Sequence, residues 1–132
     1  MLPFLNKFTA PKKIARKHPP LRLFNTLSGT IEEFQPLVED YVSMYNCGPT
    51  VYDHSHIGHA RTQLAFDIIV RYLRSRLWNI RYLQNITDVD DKIIKRAHEE
   101  KKDPLALAAY FTREYLKDMK ALGVTAVNIY AP

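Results

Sequence analysis

Cys47-Gly48-Pro49-Thr50-Val51-Tyr52-Asp53-His54-Ser55-His56-Ile57-Gly58-His59-Ala60-Arg61 is the stretch on which the fold turns. Before it runs Tyr41-Val42-Ser43-Met44-Tyr45-Asn46, rich in the β-branched and aromatic residues that favour strands. After it the period changes. Leu64, Ile68, Ile69, Tyr72, Leu73 and Leu77 recur at helical spacing, which predicts a helix over 60–77 with this apolar stripe buried and Arg61, Arg71 and Arg74 off it. A thiol, three histidines and two glycines therefore lie where a strand hands over to a helix. In open α/β sheets ligands bind there, outside the carboxyl ends of the strands. A helix beginning after Gly58 aims backbone N–H groups and the positive end of its dipole at the loop, which suits phosphate.

Further along, Ile80 to Ile86 alternates and predicts a strand partly buried on both faces. Asn79, just before it, is expected to take the left-handed turn that ends the helix. Thr87-Asp88-Val89-Asp90 has the spacing of a helix cap and predicts a helix over about 88–100. Asp103-Pro104 is a second start signal, and Leu107, Phe111, Tyr115, Met119 and Leu122 follow at helical spacing up to Gly123. Val124 to Tyr130 is short and apolar. On the amino-terminal side, Leu21–Asn25 and Ile31–Phe34 flank the turn residues Ser28-Gly29. Strand, helix and parallel strand make a βαβ unit, so the fold class is α/β, a parallel sheet with flanking helices. Parallel sheets need both faces covered and several strands, so this sheet is expected to be completed elsewhere.

The 132 residues suffice for one domain, and 46% apolar with 25% charged residues is ordinary globular composition. No apolar run approaches the roughly 18–20 residues that span a bilayer. The single cysteine excludes an intrachain disulfide and fits a reducing compartment. The net charge of +5 resides in Lys7, Lys12, Lys13, Arg16 and Lys17; the remaining basic residues balance the 14 acids. Residues 1–20 thus read as a basic, proline-containing, flexible leader, with 21–132 as the folded part. A solvated tail in a cytoplasmic protein, an organellar targeting segment and an arm that touches RNA are the three readings of the leader.

In His56-Ile57-Gly58-His59, Gly58 lets a flat base lie on bare backbone. Two histidines three apart at a helix entrance can face one phosphate and donate to its oxygens during in-line displacement. The same string also reads as a polar loop or a helix cap. Cys47 reads as a zinc ligand, with His54, His56 and His59 the nearby candidates to join it, or as a small core residue. Thr87 and Asp88 end the second strand at the same rim and can hold ammonium or hydroxyl groups of a small substrate, or cap a helix. Asp88, Asp90 and Asp91 fit a charged first helical turn better than a cation site. His18 and His98 read as surface residues.

The chain resembles the catalytic domain of the cysteinyl-tRNA synthetases, a class I aminoacyl-tRNA synthetase family. The resemblance is carried by Leu23–Leu27, Glu33–Pro36, Met44–Asp53, His56–Thr62, Phe66-Asp67, Arg71–Leu73 and Gln84–Ile94. It implies the first half of a Rossmann-type, HUP-like nucleotide-binding domain. It implies activation of L-cysteine by ATP to cysteinyl-adenylate and transfer to tRNA(Cys). Carried over residue by residue, His56 and His59 stabilise the adenylation transition state and, with Gly58, hold ATP. Cys47, Gly48, Thr50 and Thr87 line the pocket for the substrate cysteine, and Cys47 is the first ligand of a Zn2+ ion. In that family zinc binds the substrate's sulfur, which rejects serine more strongly than an apolar pocket could. A related cysteine ligase of mycothiol synthesis shares part of the pattern, and a non-catalytic RNA- or zinc-binding module is the alternative from another class. Trp78-Asn79 stands where the family tends to have a glycine turn. The family's other zinc ligands (Cys, His and Glu), its Lys-Met-Ser-Lys-Ser signature, the second half of the nucleotide fold and the anticodon-binding helices have no counterpart in these residues. The chain alone is therefore expected to be inactive, and one thiolate makes a poor zinc site.

Overall fold

The computed structural model describes residues 20–132, so the leader lies outside the described residues apart from Pro20. Two compact units are present, residues up to Phe34 and Gln35–Pro132. In the first, β1 (Arg22–Asn25) pairs antiparallel with β2 (Thr30–Glu33), as the turn signal predicts. Gly29 turns the chain at φ 71°. The Ser28 hydroxyl, with Asn25 and Thr30, donates to Glu32 and holds its carboxyl below the usual carboxylate range.

The second unit contains β3 (Tyr41–Asn46), α1 (Ile57–Ser75), β4 (Asn79–Asn85), α2 (Asp91–Glu100), α3 (Pro104–Ala121) and β5 (Ile129–Ala131). The strands form one parallel sheet in the order β3-β4-β5, with Asn46 opposite Gln84 and Gln84 opposite Tyr130. Both crossovers advance in the same direction, so right-handed connections put all three helices on one face. Hydrogen bonds from Gln84 to Gln63 of α1 and from Tyr115 of α3 to Gln84 agree with that placement. This face holds Val42, Ile80, Tyr82 and Gln84, all buried. Tyr41, Ser43, Tyr45, Asn79 and Arg81 of the opposite face are exposed. The expectation that β4 is partly buried on both faces holds only for Leu83 and Asn85, which are half-buried. Under the helices, Val51 and Ile86 pack with Ile93 and Ala97 of α2 and Leu107, Phe111, Tyr115 and Met119 of α3. Each fully buried large apolar side chain contributes about 1.5–3 kcal/mol.

Four local expectations are corrected. Helix α1 begins at Ile57 rather than after Gly58, because His56 caps it, which is the cap reading of the His56–His59 string. Its buried side follows the apolar stripe only in part: Leu73 is buried and Leu64 packs against the core, but Gln63 and Asp67 are 4% and 3% exposed, whereas Ile68, Ile69, Tyr72 and Leu77 are 64%, 44%, 50% and 50% exposed. Asp67 turns inward because its carboxylate accepts the backbone N–H groups of Thr125 and Ala126 and the Arg71 side chain. The left-handed residue at the end of α1 is Leu77, at φ 65°, not Asn79. Trp78 N–H closes the helix end on Leu73 C=O at 3.3 Å, and Asn79 already pairs with Asp40 C=O at 2.8 Å. Finally, α2 is capped by Asp90, whose carboxylate accepts Lys92 N–H at 2.8 Å. Thr87 cannot cap, because its backbone is committed to Pro49 C=O and Val51 N–H. By contrast, Asp103 caps α3 and Gly123 turns out of it at φ 74°, as predicted.

Candidate functional site

The carboxyl rim of the sheet is set by Gly48. A Cβ there would lie 1.7 Å from the Asn85 carbonyl oxygen, so only glycine lets the ends of β3 and β4 stay this close. The Gly48 N–H donates to Asn85 Oδ1 at 2.7 Å, and Tyr45 OH donates to the same oxygen at 3.0 Å. A bridge between Thr50 and Thr87 carries the pairing past the strands. Cys47 is thereby held, exposed, at the lip of a cleft of about 250 Å³. Thr50, Tyr52, His59, Gln63 and Lys92 also line the cleft.

The first turn of α1 organises its two histidines. His56 Nδ1 accepts the Gly58 N–H at 3.1 Å, and His59 Nδ1 accepts the His56 N–H at 3.3 Å. This reciprocal cap stacks the rings 3.9 Å apart at 22°. With each Nδ1 an acceptor, the proton of each neutral ring sits on Nε2 and is free to donate. Burial, helped by the neighbouring His56, lowers the His59 pKa below the usual imidazole value, so this donor is uncharged at neutral pH. The backbone at Gly58 is covered not by open space for a base but by the His56 ring. A Cβ there would come 2.8 Å from His56 Cε1.

Cys47, Gly48, Thr50 and His59 meet in one cleft, while His56 stands behind His59. Thr87 flanks it, its hydroxyl accepting from Asn85 Nδ2 at 3.2 Å. Asp88 does not reach it; that carboxylate borders a separate cavity of about 530 Å³ with Leu105, Ala108 and Tyr130. His54 is also elsewhere, edge-on to Phe111 at 5.2 Å and Tyr110 at 6.3 Å. Among the described residues no three His, Cys, Asp or Glu side chains are grouped to hold a metal ion. Cys47 with its neighbours therefore does not by itself fit zinc.

Gln63 and Lys92, which line the cleft along with Pro49 and Thr62, were not foreseen. Gln63 lies four residues after His59 and so shares its helix face, a signal legible from spacing. Lys92 sits in the first turn of α2, where a cation opposes the helix dipole; that mismatch, and its place in the Gln84–Ile94 string, were its marks in the sequence. Its ammonium lies 5.8 Å from the centre of the Tyr52 ring. Beneath the cleft, Gln84 Nε2 donates to Gln63 Oε1 at 2.6 Å and Tyr115 OH donates to Gln84 Oε1 at 3.0 Å. Asn46 Nδ2 reaches both Gln63 Oε1 and Tyr82 OH at 3.4 Å.

A parallel sheet with flanking helices and a polar cleft at its carboxyl rim, beside a helix amino terminus, defines an α/β protein of Rossmann type. The fold is that of class I synthetases. It matches Mycobacterium tuberculosis methionyl-tRNA synthetase in complex with methionyl-adenylate with a TM-score of 0.66 and 20% identity, over 70% of this chain and 18% of that one. A second structure of that enzyme, bound by methionyl-adenylate, matches with a TM-score of 0.62 and 21% identity, over 73% and 18%. The family described as tRNA synthetases class I (C) catalytic domain matches residues 33–131. The cysteine–tRNA ligase of Thermococcus onnurineus is 54% identical over 110 residues, 83% of this chain and 23% of the relative. That of Geobacter metallireducens is 57% identical over 104 residues, 79% of this chain and 21% of the relative. The chain belongs to the family of class I (C) tRNA synthetase catalytic domains. It spans less than a quarter of the length of these curated relatives. No helix among the described residues is long and apolar enough to cross a membrane.

Proposed function

We propose that this chain forms part of the active site of a cysteine–tRNA ligase, which activates L-cysteine with ATP and transfers the cysteinyl group to tRNA(Cys). The observation that carries the reading is the single cleft uniting Cys47 and Thr50, beyond the end of β3, with His59 in the first turn of α1. Adenylation joins a carboxylate oxygen of cysteine to the α-phosphorus of ATP and expels pyrophosphate. Negative charge grows on the α-phosphate oxygens as that bond forms. His56 and His59 present Nε2–H donors there, beside the positive end of the helix, and Lys92 adds a cation. Because the cap fixes both rings, little reorganisation is needed when the charge develops. Cys47, Gly48, Thr50 and Thr87 form the amino-acid end. Gly58 acts by making room for the His56 ring, which is how it contributes to holding ATP.

Zinc at Cys47 would need donors beyond those the described residues group together, and no step is assigned to it. With one thiol and an open cleft, the 132 residues are expected to bind nucleotide weakly and to show no ATP–pyrophosphate exchange with cysteine. The reaction belongs with translation in the cytoplasm, with an organelle as the alternative if the leader directs it there. Calorimetric titration of ATP into the chain and into a His56→Asn/His59→Asn double variant tests the reading. A fall in affinity of about tenfold or more is expected. Equal affinities would sink it.

A further inference from the structure

Gln63 is the buried polar group of the cleft that the chemistry above leaves unused. It is only 4% exposed, yet it lines the cleft. Its amide orientation is fixed from below. Tyr115 OH donates to Gln84 Oε1, so Gln84 turns its nitrogen to Gln63 Oε1, which Asn46 also approaches. Burial raises the Tyr115 pKa and keeps that hydroxyl a donor throughout. The relay runs one way, from Tyr115 through Gln84 to Gln63, and Gln63 Nε2 is the end with no partner among the described residues. That nitrogen is not among the fully buried unpaired atoms, so it meets the solvent of the cleft, where a ligand oxygen can take the place of water.

We propose that Gln63 is a specificity-determining residue whose side-chain N–H2 donates to an anionic oxygen of the ligand held between Cys47 and His59. The inference rests on the ligase reading and names a further contact within that site. The rest of the lining agrees with an anionic oxygen. Lys92 supplies an ammonium and the lining contains no carboxylate. The oxygen belongs either to the amino-acid carboxylate or to the nucleotide phosphate, which are one chemistry to an amide donor. A ligand lacking that oxygen leaves the amide unpaired and is rejected for that reason.

The test is NMR of the full 132-residue chain with its glutamine side-chain amides labelled. The probes are L-cysteine, AMP and a non-hydrolysable sulfamoyl analogue of cysteinyl-adenylate. The Gln63 N–H2 signals are expected to move with the analogue, and movement with AMP alone or with cysteine alone assigns the oxygen to phosphate or carboxylate. Gln63→Met is expected to weaken the analogue about tenfold, and Gln63→Glu, which puts oxygen where N–H2 was, about a hundredfold. If the analogue shifts the backbone amides of Cys47 and His59 but leaves the Gln63 N–H2 signals in place, the inference fails and the ligase reading stands. Failure of the analogue to bind the unsubstituted chain overturns both. Should the variants unfold, the side-chain signals of the unsubstituted chain decide.

Discussion

The two ends of α1 both carry polar side chains and treat them in opposite ways. In its carboxyl-terminal half every polar arm closes on the protein itself. Asp67 accepts Thr125 and Ala126 N–H at 2.8 and 2.7 Å. Arg71 donates to Gly123 C=O at 2.6 Å and Arg74 to Ala126 C=O at 3.0 Å. At the amino-terminal end, His56, His59 and Gln63 each engage one polar atom internally and keep one donor outward. One half pins the crossover before β5; the other presents a site. What separates the two in function is the completeness of hydrogen bonding.

That contrast can be broken by substitution. The largest effect is expected at Asp67→Ala, which orphans two backbone N–H groups and Arg71 and should cost about 4 kcal/mol in urea unfolding. A loss under about 1 kcal/mol would mean the clamp is not structural. Gly48→Ala comes next, at about 3 kcal/mol, because its Cβ meets backbone rather than a movable side chain. His56→Ala removes a cap worth about 1 kcal/mol, whereas His56→Asn restores the cap without the imidazole donor. Stability recovered by Asn but ATP affinity not recovered would sharpen the division between the two ends of the helix.

The pH dependence is subtler. His59 is harder to protonate in the native state than in the unfolded chain, whose value lies near 6.5. Its stabilising contribution is complete above that value and is lost as pH falls through the lowered native pKa. The unfolding midpoint should fall from pH 7.5 to pH 5, and His59→Gln should flatten part of that slope. The smallest change is a gain: Leu77→Gly relieves a left-handed leucine and should add about 0.5 kcal/mol.

Much of this was local, and therefore legible. Tyr41–Asn46 is a strand by composition, Asp103-Pro104 opens a helix by capping chemistry, and Cys47 and His59 reach one rim because a strand and a helix meet between them. Other features answer to partners far along the chain. Hydrophobic period chose Ile68, Ile69 and Tyr72 as the inward side of α1, but it counts apolar residues and is blind to a polar group whose partner is distant. Gln63 turns inward to Gln84, 21 positions away, and Asp67 to backbone 58 and 59 positions away. Thr87 gave up its cap to the end of β3, and His54 left the cleft for the aromatic rings of α3. Sequence alone determined the order of strands and helices up to α3 and the rim where the thiol and imidazole meet, since bonding within a few residues decides both, while β5 became a strand only by pairing with β4. Only the tertiary structure decided which polar side chains are buried and which donors stay open to a ligand, because a buried polar atom is stable only where a partner, near or far in sequence, satisfies it.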